Sequence, residues 1–149
     1  MLARVQVDPQ KITELMYLAK TIWAEARGEG SEGMRLVAWV IRNRVNDKRW
    51  PDTYYSVTTQ RAQFSAWLPN DPNRPKLADP LSGGPEDDAA WFEAIRIADE
   101  VVDAPESDNP LPGVYHYFDV RLEKNPPSWA KGKELIRLPV APRLIFVKG

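Results

Sequence analysis

The segment Ile22-Trp-Ala-Glu-Ala-Arg-Gly-Glu-Gly30 joins two predicted helices. The first helix is predicted from about residue 9 or 11 to Arg27, with Asp8 as its N-cap and Pro9 in its first turn. Gly28 and Gly30 are expected to end it, because glycine tolerates the backbone angles of helix termini. One apolar face, spaced by three and four residues, carries Leu15, Leu18 and Ile22.

Two more helices are predicted outward from this segment. One spans about residue 31 or 32 to 45, and its centre is apolar on all sides, as in a helix at the core of a small domain. The other spans about 86–102 and opens with acidic residues, which favour a helix N-terminus. Trp39 and Trp91 lie in these two helices and are predicted to be core residues.

The remaining segments predict a small β element. Residues 113–118 alternate and are aromatic, and 144–147 are apolar, so both are expected to be extended. Residues 57–59 and 63–65 are interpreted as a short strand or turn. Prolines crowd into residues 69–85, which predicts a long loop. The fold class is therefore α+β, mainly helical.

Composition restricts the chemistry. The chain of 149 residues suggests a single domain, 1–149, because it is too short to form two domains that each have a sizeable hydrophobic core. The chain has no cysteine and one histidine, His116, which excludes a disulfide framework and any metal site that needs two histidines. We expect no metal and no other cofactor, so acid–base chemistry falls mainly to Asp and Glu.

Charge is uneven along the chain. The net charge of −1 gives no reason to expect a nucleic-acid partner. It conceals basic blocks at 1–50 (+3) and 109–149 (+4) around an acidic block at 51–108 (−8). These blocks are either solvated helix faces or flanks that meet an anionic polymer. We also expect no signal peptide and no stable membrane insertion, since no apolar run approaches the ~20 residues of a membrane helix.

Glu25 is the candidate catalytic residue. It continues the apolar stripe of the first helix, so burial is expected to raise its pKa. It also lies in the last helical turn, where the negative end of the helix dipole raises the pKa further. A carboxyl group protonated near neutral pH suits a general acid. The alternative is a Glu25 that is solvated or paired with a nearby arginine, such as Arg27, Arg42 or Arg44.

Two other glutamates compete for this assignment. Glu29 follows Gly28 in the turn and is expected to be solvated. Glu32 fits the first turn of the second helix, where a negative charge stabilises the helix. Both are therefore interpreted as structural, with Glu29 as the second choice for the acid.

A series of short segments carries a family resemblance. They are Ile22-Trp-Ala-Glu-Ala-Arg-Gly-Glu-Gly30, Glu32-Gly-Met34, Val37-Ala38, Asn43-Arg-Val45, Trp50-Pro51, Gln63-Phe-Ser65, Gly113-Val-Tyr-His-Tyr117, Pro127-Ser-Trp-Ala130 and Arg143-Leu-Ile-Phe146. Together they resemble the SleB-type cell wall hydrolases, named for a spore-cortex-lytic enzyme and found also in phage endolysins. The resemblance covers about residues 15–147, and its most specific part is the E-A-R-G-E block followed by N-R-V.

The resemblance implies a lysozyme-like fold, cleavage of the peptidoglycan glycan strand, and one catalytic glutamate that maps onto Glu25. Two carboxylates usually share such work. Asp52, Asp71 and Asp79 stand beside prolines in turn-like contexts, which favour capping or solvation. A single glutamate suits a lytic transglycosylase, which cleaves between N-acetylmuramic acid and N-acetylglucosamine and leaves a 1,6-anhydro sugar.

Other functions stay open. A muramidase that uses water is the main alternative. An amidase is less compatible with a single histidine, because such enzymes usually hold zinc with several. A glycan-binding protein without activity would keep the fold and lose the reaction.

Several residues are predicted to contact substrate. Gln63 and Ser65 carry short polar groups that suit sugar hydroxyls and N-acetyl amides. Strand alternation places Tyr115 and Tyr117 on one face toward Glu25, and Tyr117 is favoured for a hydrogen bond at the cleavage site. His116 then points the other way and is assigned a structural role.

Exposed aromatic rings stack on sugars, and Trp67 and Trp129 stand in loop contexts that suit such platforms. The sequence also departs from the family pattern: Val114 and Tyr115 replace the usual residues of the G-A-T-H-Y segment, and Arg143 stands where the final strand often has histidine. These departures affect the sugar subsites and leave the acid intact.

The setting follows by analogy with phage endolysins. We expect a monomer whose partner is the peptidoglycan glycan strand, with no separate wall-binding domain. It would be made in the cytoplasm without a signal peptide and reach the cell wall after release through a holin pore.

Overall fold

The computed structural model describes residues 8–60, 64, 67–77 and 85–149, and of residues 85–88 the backbone alone. Within this part of the chain, four α-helices precede three short strands. They are α1 (Pro9–Ala26), α2 (Gly30–Val45), α3 (Tyr54–Thr58), α4 (Pro85–Asp103), β1 (Val114–Asp119), β2 (Glu134–Arg137) and β3 (Leu144–Lys148). This arrangement confirms the mainly helical α+β class.

Helix α1 begins and ends where the sequence predicted. The Asp8 carboxylate accepts the backbone N–H of Gln10 at 3.0 Å, and Pro9 occupies the first turn. After Ala26 a 3-10 turn, Arg27–Glu29, leads directly into α2. Gly30 has a φ of +74°, a left-handed conformation that glycine adopts readily, and it lets the chain reverse between the two helices.

The core lies between α1, α2 and α4. Helix α2 is buried along its centre, and the apolar stripe of α1 is buried at Leu18 and Ile22, both fully. Trp39 and Trp91 are buried as predicted, and Trp91 meets the ring of Trp23 edge-on at 6.3 Å. Each large apolar side chain buried here contributes about 1.5–3 kcal/mol, which makes this helical layer the main source of stability.

The three strands form an antiparallel sheet in the order β1-β3-β2. Tyr117 pairs with Phe146, and both pack against the helical core. On the opposite face Phe118, Ile145 and Val147 form a smaller apolar cluster with Ala130. The sheet therefore presents one face to the helices, and Tyr117 lies on it.

Two adjacent side chains of α2 hold the start of β1. The amide of Asn43, which is buried, donates to the backbone carbonyls of Leu111 and Val114, both at 2.8 Å. The guanidinium of Arg44, also buried, donates through Nε to the carbonyl of Tyr115 at 2.6 Å. The sequence pattern did not predict this connection between α2 and the sheet.

The prediction of a strand or turn at 57–59 is wrong for Val57 and Thr58, which belong to α3; Thr59 is its C-cap. Thr53 caps this helix, with its hydroxyl accepting the N–H of Ser56 at 3.0 Å. The carboxylate of Glu14 accepts the N–H groups of Tyr54 and Tyr55, both at 2.8 Å. These partners satisfy the free donors of the first turn, and this outweighs the β-propensity of the segment.

Strand β2 was not predicted, because its side chains are mostly exposed and show no alternation of buried and exposed positions. Of the proline-rich loop, residues 69–77 are described, as turns followed by a 3-10 turn at Pro75–Leu77. Gln63, Ser65 and Asp79 lie outside the described residues. None of the described helices has the length and apolar character needed to cross a membrane.

Candidate active site

Glu25 lies in the last turn of α1, half-buried where the apolar stripe meets the sheet. Burial raises its pKa from 4.5 to about 7. A hydrogen bond from Tyr117 acts in the opposite direction, and the negative charge of Asp71 raises the pKa further. The predicted effect of burial is thus confirmed, and near neutral pH a large fraction of the carboxyl group holds a proton that it can donate.

The arginines that were considered as partners of Glu25 make bonds elsewhere. The guanidinium of Arg42 donates to the carbonyl of Val101 at 2.7 Å. That of Arg27 donates to Asn73, and that of Arg44 donates to the start of β1. These bonds favour the buried, protonated form of Glu25 over the alternative of a paired carboxylate.

Tyr117 is the described hydrogen-bond partner of Glu25. Its hydroxyl donates to Oε1 of Glu25 at 3.3 Å. Burial, together with the neighbouring Glu25, raises the pKa of Tyr117 well above its usual range, so the phenol keeps its proton. A permanent donor at this position can stabilise the carboxylate after Glu25 has given its proton away.

Tyr115 does not follow the predicted alternation. The pairing of β1 with β3 shifts between Val114 and His116, so Tyr115 is the extra residue of an irregularity. Its ring stacks on Trp50 at 5.0 Å, and Trp50 also lies 5.7 Å from His116. The shift therefore places Tyr115 beside Trp50, which also contacts His116. Contrary to the prediction, Tyr115 does not share a sheet face with Tyr117.

Trp129 is the better exposed of the two predicted sugar platforms. Its side chain is 41% exposed, and its ring lies against His116 at 4.8 Å and edge-on to Phe118 at 6.2 Å. Burial, with help from nearby cations, lowers the pKa of His116 to about 4, so the imidazole is neutral. Its position beneath Trp129 agrees with the structural role predicted for it.

Trp67 packs along α1. Its Nε1 donates to the hydroxyl of Thr21 at 2.9 Å, and its ring is stacked on Tyr17 at 5.1 Å. The guanidinium of Arg74 lies 5.4 Å from the ring centroid. Because Tyr17 occupies one ring face, a sugar has less of Trp67 to stack on than of Trp129.

Asp71 lies near Glu25 and was underrated by sequence reasoning. Its Oδ1 accepts the backbone N–H of Asn73 at 2.8 Å, which confirms the predicted capping role. Asn73 in turn accepts a hydrogen bond from Arg27 at 3.0 Å, and this bond holds the loop against the end of α1. The charge of Asp71 is thereby brought close enough to raise the pKa of Glu25, which no local sequence signal indicated.

Glu29 is not solvated as predicted. Its side chain is only 10% exposed, and its Oε1 lies 4.0 Å from Nε of Arg143. The 3-10 turn folds it over the first turn of α2, so closely that a Cβ atom at Gly33 would lie 2.3 Å from the Cβ of Glu29. Glu32 is exposed and pairs with Arg35, in the first turn of α2 as predicted.

The described residues contain no group of three or more acidic or histidine side chains that could hold a metal ion. The site they form combines the half-buried carboxyl group of Glu25 with the phenol of Tyr117 and the nearby carboxylate of Asp71. Trp129 lies against His116 and Phe118, on the face of the sheet opposite Tyr117, so the structure does not bring it together with Glu25.

Known proteins resemble this chain in sequence and in fold. A family model described as Cell Wall Hydrolase matches residues 28–147, a range that begins just after Glu25. The spore cortex-lytic enzyme of Oceanobacillus iheyensis is 36% identical over 87 residues, which cover 53% of this chain and 32% of that protein. That of Bacillus subtilis is 30% identical over 87 residues, with coverages of 53% and 28%. The chain spans about a third of the length of these curated relatives.

A solved structure extends the likeness to the whole fold. The catalytic domain of the germination-specific lytic transglycosylase SleB from Bacillus anthracis superposes with a TM-score of 0.59. The match covers 98% of this chain and 100% of that one at 20% identity, and it confirms the lysozyme-like fold. With the family model matching most of its length, the chain belongs to the cell wall hydrolase family.

Proposed function

We propose that this chain cleaves the β-1,4 bond between N-acetylmuramic acid and N-acetylglucosamine in peptidoglycan, with Glu25 as its single catalytic residue. The observation that carries the proposal is the half-buried carboxyl group of Glu25, whose pKa is about 7 and which Tyr117 contacts at 3.3 Å. Membership of the cell wall hydrolase family supports the substrate class.

The reaction uses Glu25 twice. The protonated carboxyl group first donates its proton to the glycosidic oxygen, and the bond between that oxygen and C1 of the muramic acid breaks. Positive charge develops at C1 and on the ring oxygen. The 6-hydroxyl oxygen of the same sugar then bonds to C1, and its proton passes to the Glu25 carboxylate. Tyr117 stabilises the carboxylate between the two transfers, and Glu25 ends protonated as it began.

A reaction with these steps is that of a lytic transglycosylase, which leaves a 1,6-anhydro product. The structurally similar SleB domain is named as a lytic transglycosylase. The second candidate is a muramidase, in which water attacks C1. The nearness of Asp71 favours this candidate, because a second carboxylate could accept the proton of that water.

Product analysis tests both candidates. Purified peptidoglycan is digested with the wild-type chain, Glu25→Gln and the exposed control Glu32→Gln, and soluble products are weighed by mass spectrometry. We expect products one water lighter than hydrolytic ones from wild type and control, and a loss of at least about a thousandfold for Glu25→Gln. Products with reducing ends only would identify a muramidase, and full activity of Glu25→Gln would refute the site. Unchanged activity in EDTA is expected, which separates both candidates from a zinc amidase.

We also propose a phage-type endolysin as the setting, in which the chain is made in the cytoplasm and released through a holin pore. The support is the resemblance to a family that includes endolysins, and the competing setting is the spore cortex named in the curated relatives. Expression in bacteria with and without an inducible holin tests this. Lysis that depends on both proteins is expected, and lysis without the holin would overturn the proposed route.

A further inference from the structure

A cavity of about 390 Å³ opens where β1 ends and β3 begins. It is lined by Asp119, Val120, Arg121 and Arg143. The side chains of Arg121 and Arg143 are 85% and 80% exposed. Neither arginine takes part in the reaction derived above, so the cavity is a polar site without an assigned role.

The cavity is formed by residues that follow Tyr117 on β1 and that approach the turn after α1. Asp119 follows Tyr117 by two residues on β1, so both side chains lie on the sheet face that meets the helices, about 7 Å apart along the strand. Asp119 pairs with Leu144, the residue directly after Arg143. On the other side, Nε of Arg143 lies 4.0 Å from Glu29, which belongs to the turn that follows α1.

Two carboxylates, those of Asp119 and Glu29, lie close to the two guanidinium groups of the cavity. Asp119 accepts the backbone N–H of Arg121 at 2.8 Å and its Nε at 3.0 Å. Glu29 is nearly covered, and its 4.0 Å separation from Arg143 is at the limit of an ion pair. Arg143 lies near the carboxylates of Glu29 and Asp119, and most of its surface faces the cavity and solvent.

We propose that Arg143, with Arg121 beside it, forms a subsite for a carboxylate carried by the muramic acid of the substrate. This inference rests on the proposed function. Muramic acid bears a lactyl arm that ends in a carboxylate or in a peptide with carboxylates of its own, whereas N-acetylglucosamine is neutral. A planar guanidinium group binds a carboxylate through two parallel hydrogen bonds, so such a subsite would select the muramic acid side of the cleaved bond.

Binding to glycan strands tests the proposal without turnover. The chain is compared as Glu25→Gln alone and as Glu25→Gln combined with Arg143→Gln, Arg143→Lys or Arg137→Gln. Arg137 is an exposed arginine of β2 that pairs with Glu123 and serves as the matched control. The probes are peptide-bearing strands, strands stripped of peptide by an amidase, and both preparations with their carboxylates converted to amides.

We expect Arg143→Gln to weaken binding to charged strands roughly tenfold and to leave binding to amidated strands unchanged. Arg143→Lys should recover part of the loss, and Arg137→Gln should have no effect. If Arg143→Gln weakens binding to strands stripped of peptide, the lactyl carboxylate is the group that Arg143 binds. If binding weakens only on peptide-bearing strands, that group belongs to the stem peptide.

An equal loss on charged and amidated strands, no loss on either, or an equal loss in Arg137→Gln would overturn the subsite. Failure of the proposed function has a different signature, because wild type would then release no product from peptidoglycan whatever Arg143 binds. Thermal unfolding of each variant shows that a loss of binding does not come from a loss of fold.

Discussion

The buried carboxyl group of Glu25 should destabilise the fold at alkaline pH, and Glu25→Gln should relieve this. The pKa of Glu25 is about 7 in the folded chain against 4.5 for an ordinary glutamate. Well below pH 4.5 the group is protonated in both the folded and the unfolded state, so its ionisation does not lower the free energy of unfolding. As the pH rises from 4.5 to about 7, the unfolded chain ionises while the folded chain keeps its proton, so the free energy of unfolding falls; above 7 both are ionised and the loss levels off.

The size of the effect follows from the difference between the two pKa values. A rise from 4.5 to about 7 corresponds to about 3.4 kcal/mol once ionisation is complete. Glu25 is only half-buried, so solvent screening reduces this, and we expect about 2–3 kcal/mol at pH 8.5. Glutamine has nearly the same shape, cannot ionise, and can still accept the hydrogen bond from Tyr117.

Urea unfolding at pH 4 and at pH 8.5 measures the effect. The stability difference between Glu25→Gln and wild type should grow by about 2–3 kcal/mol in favour of the variant between the two pH values. Glu134→Gln, at an exposed position of β2, provides the background pH dependence of losing one carboxylate. A difference for Glu25→Gln that does not change with pH, or that matches Glu134→Gln, would refute the buried acid.

Other substitutions test the surroundings of Glu25 and the support of β1. Tyr117→Phe removes the hydrogen bond that lowers the pKa of Glu25, so the alkaline limb of the pH–activity profile should move up by ~0.7 pH units, equivalent to about 1 kcal/mol. Asp71→Asn removes a charge that raises this pKa, so the same limb should move to lower pH; a shift in the other direction in either variant contradicts the electrostatic assignment. Asn43→Ala deletes three hydrogen bonds, two of them buried. Its free energy of unfolding in urea should fall by about 2–4 kcal/mol, whereas a loss below ~1 kcal/mol would show that the amide does not hold the strand.

The parts of the fold that depend on local spacing could be predicted from the sequence. The cap at Asp8, the stripe through Ile22 and the glycine at residue 30 each act within a few residues, and the structure places all three as expected. The raised pKa of Glu25 was predictable for the same reason, because a carboxyl group on an apolar stripe is buried by the packing of its own helix.

Contacts between distant segments could not be predicted in this way. The α3 segment has β-propensity, and its first turn is stabilised by Glu14, about forty residues earlier in the chain. Asp71 approaches Glu25 through the bond between Arg27 and Asn73. Glu29 is covered because the turn after α1 folds back on α2. None of these effects leaves a periodic or compositional trace.

The Asn43-Arg44 pair shows how such contacts control the chemistry without touching the reacting atoms. Glu25 belongs to α1 and Tyr117 to β1, so their 3.3 Å hydrogen bond depends on how the sheet is fixed to the helices. Asn43 bonds to the backbone carbonyl of Val114 and Arg44 to that of Tyr115, the residue at which the pairing of β1 with β3 shifts. They therefore set the register in which Tyr117, two residues further on, turns toward Glu25. We infer that Asn43 and Arg44 are positioning residues. Their buried polar groups hold β1 where the hydroxyl of Tyr117 comes within hydrogen-bond distance of Glu25.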